Sequence, residues 1–555
     1  MNNLEQPSVP PARPQLFQRD LTWWFMIAIL VLVATVRLRL LNVPLERDEG
    51  EYAYAGQLML QGIPPYDLAY NMKFPGTYAA YALIMGLFGQ TPAGIHFGIL
   101  CMTTLTALML FWLGKKILDA MAGMVAATSY AIMSASPSMQ GLEGHATHFA
   151  AFFATAGLCA MWKARQNPNW LNAGTAGLMF GAAVLMKQHA VFIGAWGFLV
   201  FVAQSIRQSQ LAFGKRFSPA AIFCFGMVLP FGLCCLILWH AGVFEKFWFW
   251  TISYARQYAS ILPLSYAPTI FWYNFGDILS WDGLLWLLAV FGIVLMWLDE
   301  RLRGLRFWIL GFAFAAALTT VPGFYFRNHY FLTTIPAVAL LIACVVSGAC
   351  DLWRKKKYNQ LPVRIFALIL AFMAWHARDP WFEMNPVQEA RWVHGAEPFP
   401  EAEPVSAFIQ KNSTPDARVA VIGSEPEIYF LSHRHSATGY IYTYALMEPQ
   451  PFALWMQHDM IGEIETNAPE FIVFVNVPTS WFQMPNSDLT IFRWWGDYRT
   501  NYSIVGIADI VGPTNTQYVW GDDILRYGQP KHNGLEVYLR RTSALFTNTN
   551  QPAKK

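Results

Sequence analysis

Long apolar runs recur from residue 21 to residue 377, and they limit this chain to folds that a lipid bilayer can hold. A helix needs about 20 mostly apolar residues to cross a bilayer. Only 13% of the residues are charged, whereas a soluble domain carries roughly twice that share. The runs therefore predict an all-α polytopic membrane domain, 21–377, with about 11 transmembrane helices. The predicted spans are 21–41, 92–113, 117–136, 145–162, 171–186, 190–206, 218–240, 283–298, 305–322, 330–349 and 362–377.

The two ends of the chain differ in composition from this membrane domain. Residues 1–20 are polar and Pro-rich, which predicts a disordered cytoplasmic tail. Residues 378–555 have the composition of a soluble protein, and strand-like and helical stretches alternate in them, which predicts a small soluble α/β domain. The strand-like runs are 417–423, 470–477 and 534–541, and the helical stretches are 401–411 and 450–466.

Motifs and net charge argue against two classes of ligand. The run ARVAVIG (417–423) is not followed by a GxGxxG motif, so we expect no nucleotide cofactor. The net charge is only +3, which gives no reason to expect nucleic acid as a partner.

Basic residues in the short loops orient the predicted spans. Cytoplasmic loops carry an excess of Lys and Arg, and every basic loop group in this chain falls on one side of the predicted membrane. We therefore expect a cytoplasmic N-terminus and, after an odd number of spans, a C-terminal domain on the non-cytoplasmic side. The basic residues are Arg13, Arg19, Lys115, Lys116, Lys163, Arg165, Arg207, Lys215, Arg216, Arg301, Arg303, Arg306 and Arg354 to Lys357.

The loops on the opposite side contain ionisable residues that break this pattern. Ionisable groups at a membrane are costly and tend to mark function, so their gathering on one side predicts a single site at the outer face. The loops are 42–91, 137–144, 187–189, 241–282 and 323–329, and the residues are Asp48, Glu49, Lys73, Glu143, Lys187, His189, Arg256, Arg327 and His329.

The first of these loops combines the acidic pair Asp48 and Glu49 with Lys73. Helical spacing over 49–61 predicts a helix on the membrane surface, and the short apolar segment 77–89 predicts an interfacial or re-entrant one. A carboxylate can take a proton from an acceptor hydroxyl or hold a divalent cation. A nearby cation offsets charge on a phosphate leaving group. The pattern suits sugar transfer from a phospholipid, and the alternative is a solvated loop in which Lys73 reaches lipid headgroups.

Glu143 lies at the mouth of the fourth span, close to two histidines. His145 and His148 are about one helical turn apart, so the three residues could form a metal site. Alternatively, the histidines line a wet vestibule or contact headgroups.

Lys187 and Arg327 are candidates for binding phosphate. Lys187 lies with Gln188 in the tight turn between spans five and six, and Arg327 precedes His329 before span ten. An arginine can bind a phosphate through two parallel hydrogen bonds. The alternatives are a snorkelling lysine and an arginine within an interfacial aromatic belt. We expect Glu143, His329 and Gln188 to contact the acceptor or the sugar.

Five segments resemble, in the same order, landmarks of the GT-C superfamily of glycosyltransferases. The resemblance is to the branch that contains the lipid A aminoarabinose transferase and the protein O-mannosyltransferases, and it covers about residues 40–380. One departure concerns Lys73-Phe74-Pro75-Gly76, where many relatives have Lys-Pro-Pro. The segments are RDEGEYAYAGQLMLQG (47–62), NMKFPGTYAAYAL (71–83), GLEGHATHFAAFFATAG (141–157), GAAVLMKQHAVF (181–192) and RNHYFLTTIPAVALLIA (327–343).

This resemblance implies an inverting glycosyltransferase in the plasma (cell inner) membrane of a bacterium. A polyprenyl-phosphate-linked sugar would be the donor, and a lipid, glycan or protein would be the acceptor. Asp48, with Glu49, would supply the catalytic carboxylate, and Asp48 and Glu143 could hold a divalent metal. The residues that bind the donor phosphate would be Lys73, Arg327 and Lys187.

Two other classes of function stay open on the sequence. One is a transporter or flippase of lipid-linked sugars, although no charged residue lies in the middle of a predicted span and no inverted repeat relates the two halves. The other is a non-catalytic scaffold for envelope assembly. Replacement of Asp48 by Asn separates them, because transport or scaffolding survives the loss of a catalytic carboxylate.

Overall fold

Each apolar run in the first two thirds of the chain forms a helix, the structure that satisfies every backbone polar group within one segment, as lipid requires. The computed structural model describes residues 16–167, 169–207, 210, 212–298, 300–353, 360–512 and 514–543. The helices up to residue 376 are α1 (Leu16–Arg39), α2 (Arg47–Leu60), α3 (Gly76–Phe88), α4 (Pro92–Ile117), α5 (Ala120–Met133), α6 (Ala146–Gln166), α7 (Trp170–Met186), α8 (Val191–Arg207), α9 (Phe213–His240), α10 (Phe244–Trp248), α11 (Ala255–Tyr258), α12 (Ala267–Leu298), α13 (Arg306–Leu318), α14 (Ile335–Trp353) and α15 (Leu361–His376). Short 3₁₀ segments are Pro137–Met139, Gln188–Ala190, Leu264–Tyr266, Glu300–Leu305, Pro322–Phe324 and Asn328–Thr334, and Phe249–Tyr254 is a π-helical turn.

The predicted N-terminal tail differs from the structure, and some of the basic residues used to orient the spans lie outside the described residues. Helix α1 begins at Leu16, so the predicted disordered tail 1–20 is wrong over its last residues, which are helical. Residues 1–15, with Arg13, and residues 354–359, with the basic group Arg354 to Lys357, lie outside the described residues. The topology that these charges support therefore stays a prediction.

Among the described residues, five helical segments are long and apolar enough to cross a membrane, judged by length and composition. Shorter apolar helices accompany them, so the total of about 11 spans stays a prediction. The long segments are Pro92–Ile117, Gln188–Arg207, Phe213–His240, Leu264–Leu298 and Asn328–Trp353, and the shorter helices are Gly76–Phe88, Ala120–Met133, Trp170–Met186 and Leu361–His376.

The segment Asn328–Trp353 lies at the centre of the bundle. Of its most apolar stretch, 94% is buried within the protein, against 17% for the segment Phe213–His240. Protein surrounds the first segment, whereas the second presents most of its apolar side chains outwards, as a lipid-facing helix does. Arg327 and His329, at the start of the central segment, are therefore held by a rigid element.

Helix α2 is packed between other elements of the protein. A capping box at its start pairs Glu46 and Glu49, each side chain accepting a hydrogen bond from the backbone N–H of the other residue. All but three of its residues are buried. The helix packs against α3 on one side and against residues 427–432 of the C-terminal region on another. Protein covers most of α2, and its predicted place at the membrane surface stays a prediction.

Helix α3 starts at Gly76, where the chain has Pro-Gly instead of a second proline. A Cβ atom at this position would lie 2.5 Å from the carbonyl oxygen of Leu185, so the backbone of α3 approaches α7 at a distance that only glycine permits. The local departure from the family pattern therefore allows the Lys73 loop to pack directly on α7.

The C-terminal region is an α/β domain built on a six-stranded mixed sheet of order β2-β1-β3-β6-β4-β5. Strands β2, β1 and β3 are parallel, and the remaining pairs are antiparallel. The strands are β1 (Arg418–Ile422), β2 (His435–Ser436), β3 (Phe471–Asn476), β4 (Tyr502–Gly512), β5 (Asn515–Trp520) and β6 (Gly534–Arg540). The helices are α16 (Pro386–His394), α17 (Phe399–Lys411), α18 (Glu427–Ser432), α19 (Tyr444–Met447), α20 (Ala453–Asn467), α21 (Pro478–Trp481), α22 (Thr490–Tyr498) and α23 (Asp523–Tyr527), with a π turn at Asp379–Glu383 and a 3₁₀ turn at Arg499–Asn501.

The first outer loop and this sheet share one apolar core. Buried side chains of α2 and α3 belong to the same cluster as those of β1, β3 and β6. Tyr54 of α2 lies against the ring of Tyr429, and its hydroxyl oxygen accepts a hydrogen bond from the backbone N–H of Ser436 at 2.7 Å. The helical bundle and the C-terminal domain are therefore joined through α2.

Candidate functional site

A cavity of about 940 Å³ lies where the bundle, the first outer loop and the C-terminal domain meet. All five loops that the sequence places on one side of the membrane contribute lining residues to it, and the C-terminal domain contributes more. The loops supply Asp48, Lys73, Gln140, Lys187, Gln188, His189, Arg256, Arg327 and His329, and the C-terminal domain supplies His394, Glu397, Phe399, Tyr442, Tyr444, Glu448 and Phe482.

Asp48 and Lys73 form an ion pair in the wall of this cavity. The Lys73 ammonium donates to Asp48 Oδ1 at 2.8 Å and to Glu51 Oε2 at 2.8 Å. Burial alone would raise the pKa of Asp48, but the charge of Lys73 and its hydrogen bond hold that pKa well below its usual value. Burial opposes the charge on Lys73, and the two carboxylates more than compensate, raising its pKa. Asp48 is therefore a carboxylate that still has about a quarter of its side chain exposed to the cavity (23%).

Glu51 supports Lys73 from below the cavity surface. It lies one helical turn after Asp48 and is fully buried. The Asn71 amide and the Tyr78 hydroxyl donate to its two carboxylate oxygens, at 2.7 Å and 2.5 Å. Burial raises the pKa of Glu51 to about 7, although the charge of Lys73 opposes this shift. Glu51 therefore takes up or releases a proton near neutral pH.

Lys187 and Arg327 bring positive charge that no carboxylate neutralises. Within the part of the chain that the structure describes, neither side chain forms an ion pair with Asp or Glu. The Lys187 ammonium lies 3.6 Å from the ring centroid of Tyr330, and the Arg327 guanidinium lies 5.8 Å from that of Tyr325. Burial lowers the pKa of Lys187 to about 7, with Lys73 and Arg327 adding repulsion against the attraction of Asp48.

Two groups of side chains could hold a metal ion, and they share His145. One consists of Asp48, His145 and His329, and the other of Glu46, Glu143 and His145. Both ring nitrogens of His145 are buried: Nε2 lies 2.9 Å from Glu143 Oε2 and Nδ1 lies 3.6 Å from Glu46 Oε1, and neither contact has the geometry of a hydrogen bond. Imidazole nitrogens and carboxylates are the ligands that Zn²⁺ favours. The donor set and these unsatisfied atoms therefore fit a divalent cation.

The predicted site residues fall into two sets. Asp48, Lys73, Lys187, Gln188, Arg327 and His329 line the cavity. Glu49 and Glu143 do not.

Gln188 and His329 both reach the cavity through fixed contacts. Gln188 donates its amide to the carbonyl oxygen of Met72 at 2.7 Å, which ties the turn after α7 to the Lys73 loop. The ring of His329 stacks on that of His145, with centroids 4.1 Å apart.

Glu49 and Glu143 act behind the cavity wall instead. Glu49 is buried and accepts from the backbone N–H of Gly144 at 2.6 Å, and it lies 3.0 Å from His96 Nε2. Glu143 lies 2.9 Å from His145 Nε2 and 2.5 Å from His394 Nε2. Burial opposes its charge, but these two histidines lower the pKa of Glu143 to about 2. Both carboxylates therefore hold neighbouring groups in place.

Part of the chain is similar in sequence to known membrane glycosyltransferases. The family described as Dolichyl-phosphate-mannose-protein mannosyltransferase matches residues 73–239. The undecaprenyl phosphate-alpha-4-amino-4-deoxy-L-arabinose arabinosyl transferase of Edwardsiella ictaluri (strain 93-146) is 28% identical over 290 residues, which cover 48% of this chain and 50% of that protein. The chain thus aligns with about half the length of this curated relative.

Solved structures extend the likeness to nearly the whole chain. ArnT from Cupriavidus metallidurans, bound to undecaprenyl phosphate, matches with a TM-score of 0.56 at 13% identity, covering 94% of this chain and 99% of that one. The archaeal oligosaccharyltransferase AglB from Archaeoglobus fulgidus, in complex with an inhibitory peptide and a dolichol-phosphate, matches with a TM-score of 0.52 at 15% identity, covering 96% and 77%. The chain has the GT-C fold. Another structure of the Archaeoglobus fulgidus oligosaccharyltransferase, in complex with Zn and sulfate, matches this chain with a TM-score of 0.51 at 14% identity, covering 90% and 73%.

The resemblance to the aminoarabinose transferase and O-mannosyltransferase branch of the GT-C superfamily is confirmed. Sequence reasoning nevertheless missed several residues that line or support the cavity. Glu51 could have been found, because it shares a helical face with Asp48. His394 and Tyr442 could not, since they lie in the C-terminal region and no local pattern links them to the site.

Proposed function

We propose that this protein is an inverting glycosyltransferase that moves a hexose or pentose from a polyprenyl-phosphate carrier to a lipid, glycan or protein acceptor. The reaction takes place at the non-cytoplasmic face of a plasma (cell inner) membrane. The proposed organisation is an N-terminal tail that ends before α1 at Leu16, a membrane domain up to residue 377 and a non-cytoplasmic α/β domain (378–555). Similar proteins support the carrier: ArnT has been solved with bound undecaprenyl phosphate, AglB has been solved in complex with a dolichol-phosphate, and the Edwardsiella ictaluri relative is an undecaprenyl phosphate-aminoarabinose transferase.

The observation that carries the proposal is a carboxylate and unneutralised cations in one cavity. Both donors to Asp48, the Lys73 ammonium and the Tyr442 hydroxyl, bind its Oδ1 atom. The second oxygen, Oδ2, receives none of the hydrogen bonds found among the described residues. It is therefore free to accept a proton from an acceptor hydroxyl.

The charges that move during the reaction indicate the roles of Arg327, Lys187 and Lys73. The acceptor oxygen bonds to the anomeric carbon as the bond from that carbon to the phosphate oxygen breaks, and the acceptor proton passes to Asp48. The departing carrier phosphate gains one negative charge, which Arg327 and Lys187 offset. Two carboxylates already neutralise Lys73, so in this structure it orients Asp48 rather than offering an unpaired charge to the donor.

The residues also fit a divalent metal held by Asp48 with His145 and His329. Such an ion would act as a Lewis acid and bring the acceptor oxygen and the donor together. Glu143, which lies behind the cavity wall, would fix the orientation of the His145 ring.

A transfer assay in membranes tests the proposal. Membranes that contain the full chain would receive radiolabelled polyprenyl-phosphate hexoses and pentoses. We expect wild-type protein to move label to a new product and Asp48→Asn to lose at least 100-fold in rate, as expected for removal of a general base. Asp67→Asn, in the same loop but outside the cavity lining, is the matched control and retains the wild-type rate.

One result would favour the transporter alternative. If unmodified lipid-linked sugar crosses the membrane equally well with wild type, Asp48→Asn and Lys73→Ala, and no product forms, the glycosyltransferase proposal fails.

A further inference from the structure

The C-terminal domain reaches into the cavity and contacts the ion pair directly. The hydroxyl of Tyr442 donates to Asp48 Oδ1 at 2.7 Å. The Lys73 ammonium lies between two rings, 4.6 Å from the centroid of Tyr52 and 5.6 Å from that of Tyr442. Tyr442 therefore contacts both members of the pair, one through its hydroxyl and the other through its ring.

The C-terminal domain holds both ends of the loop that carries Tyr442. At one end of the loop, the Thr438 hydroxyl and the Gly439 N–H both donate to the Glu463 carboxylate, at 2.6 Å and 2.9 Å. At the other end, the Thr443 N–H donates to the Ser424 hydroxyl at 2.9 Å. Both ends of the loop are thus attached to the sheet domain, so the position of Tyr442 follows the position of that domain.

A second contact fixes the domain relative to the residue before Asp48. The Arg47 side chain is almost fully buried and donates to Glu397, Glu425 and the Ser424 carbonyl oxygen at 2.8, 2.9 and 2.6 Å. Two carboxylates and a carbonyl from the domain hold one guanidinium, and such charge-assisted bonds are among the stronger ones in proteins. The first turn of α2 is therefore bound to the domain at Arg47 and at Asp48 itself.

We infer from these contacts that the C-terminal domain is part of the reaction centre and that Tyr442 is a positioning residue for Asp48. This inference rests on the proposed function. With Tyr442 and Lys73 both bound to Oδ1, the carboxylate cannot rotate, and Oδ2 stays directed at the acceptor. A domain that served only to recruit a partner would not need a side chain on the ion pair.

The test removes one oxygen atom. Tyr442→Phe keeps the ring beside Lys73 and loses the hydrogen bond, so we expect kcat to fall about tenfold while the donor KM stays within about twofold. The matched control is Tyr440→Phe in the same loop, whose hydroxyl donates to Asp459 on the far side from Asp48. It retains the wild-type kcat.

The assay is the membrane transfer assay with the full chain, and the thermal unfolding midpoint of each detergent-purified variant is measured as a check on folding. A Tyr442→Phe protein with the wild-type kcat overturns the inference, and so does one whose kcat loss is matched by Tyr440→Phe. If Tyr442→Phe keeps its activity and Asp48→Asn loses it, the proposed function is still supported. A wild-type protein that transfers no sugar would instead reject the proposed function itself.

Discussion

Two lysines share the cavity, and their surroundings give them different charges near neutral pH. Lys73 touches two carboxylates that raise its pKa, whereas Lys187 faces Lys73 and Arg327, with Asp48 as its only nearby attraction, and burial lowers its pKa to about 7. A glycosyl phosphodiester keeps one negative charge throughout this range. Donor binding that uses the Lys187 ammonium is therefore strongest below pH 7 and weakens as the amine loses its proton.

This difference predicts how the donor KM depends on pH. Between pH 6 and 9 we expect the wild-type donor KM to rise above pH 7, by up to about tenfold per pH unit. Lys187→Arg keeps its charge across the range, so its KM stays nearly constant. Glu51 and Glu448 also titrate near pH 7, so the comparison between the two proteins isolates Lys187. If the KM of the arginine variant rises in parallel with that of wild type, Lys187 does not bind the phosphate.

At the scale of elements, α2 depends on close contact with the C-terminal domain. A Cβ atom at Gly50 would lie 2.6 Å from the backbone nitrogen of Glu427, closer than any real contact allows. Gly50→Ala must push the domain and α2 apart, which costs about 1–3 kcal/mol by analogy with overpacked cores. We expect a lower midpoint of thermal unfolding and a lower transfer rate, because Arg47 and Asp48 shift with the helix.

Gly86, which is less tightly packed than Gly50, provides the control for this substitution. Around Gly86 of α3 the nearest atom to a new Cβ, in the side chain of Leu60, is 3.9 Å away. Gly86→Ala should unfold at or above the wild-type temperature, since alanine favours helix over glycine. Equal midpoints for Gly50→Ala and wild type would show that α2 and the domain are not in close contact.

Sequence reasoning predicted the elements whose composition differs strongly from that of the neighbouring segments. Apolar runs in the first 377 residues stood out, and so did the rare charges between them, which is why Asp48, Lys73 and Arg327 were found. In the C-terminal region polar residues are ordinary, so Tyr442 gave no signal. Strand β5 was missed for a related reason, because this edge strand is mostly exposed and its sequence NTQYVW lacks an apolar run.

At the scale of the whole molecule, the cavity lining combines charged residues with an apolar set. The apolar set, called here the apolar side, comes from helices of the bundle and their connections. Its residues are Phe74, Val184, Met186, Val191, Phe231 and Ile252. An isoprenoid chain lies favourably along such a surface because apolar area is removed from water. The sugar phosphate would then extend from the bundle towards Asp48 and Tyr442.

This arrangement predicts that a bulky substitution on the apolar side raises the KM for donors with a long carrier chain and leaves the KM for donors with a short chain unchanged. Val184→Trp adds a large side chain on the apolar side, and we expect it to raise the KM for a long polyprenyl donor about tenfold, in line with the cost of overpacking. A donor with a two-isoprene chain, too short to reach Val184, should keep its KM. Leu178→Trp, on the exposed surface of the same helix and outside the lining, should change neither value. If Val184→Trp raises both values equally, the carrier lies elsewhere, and the apolar side of the cavity has to be assigned to the acceptor instead.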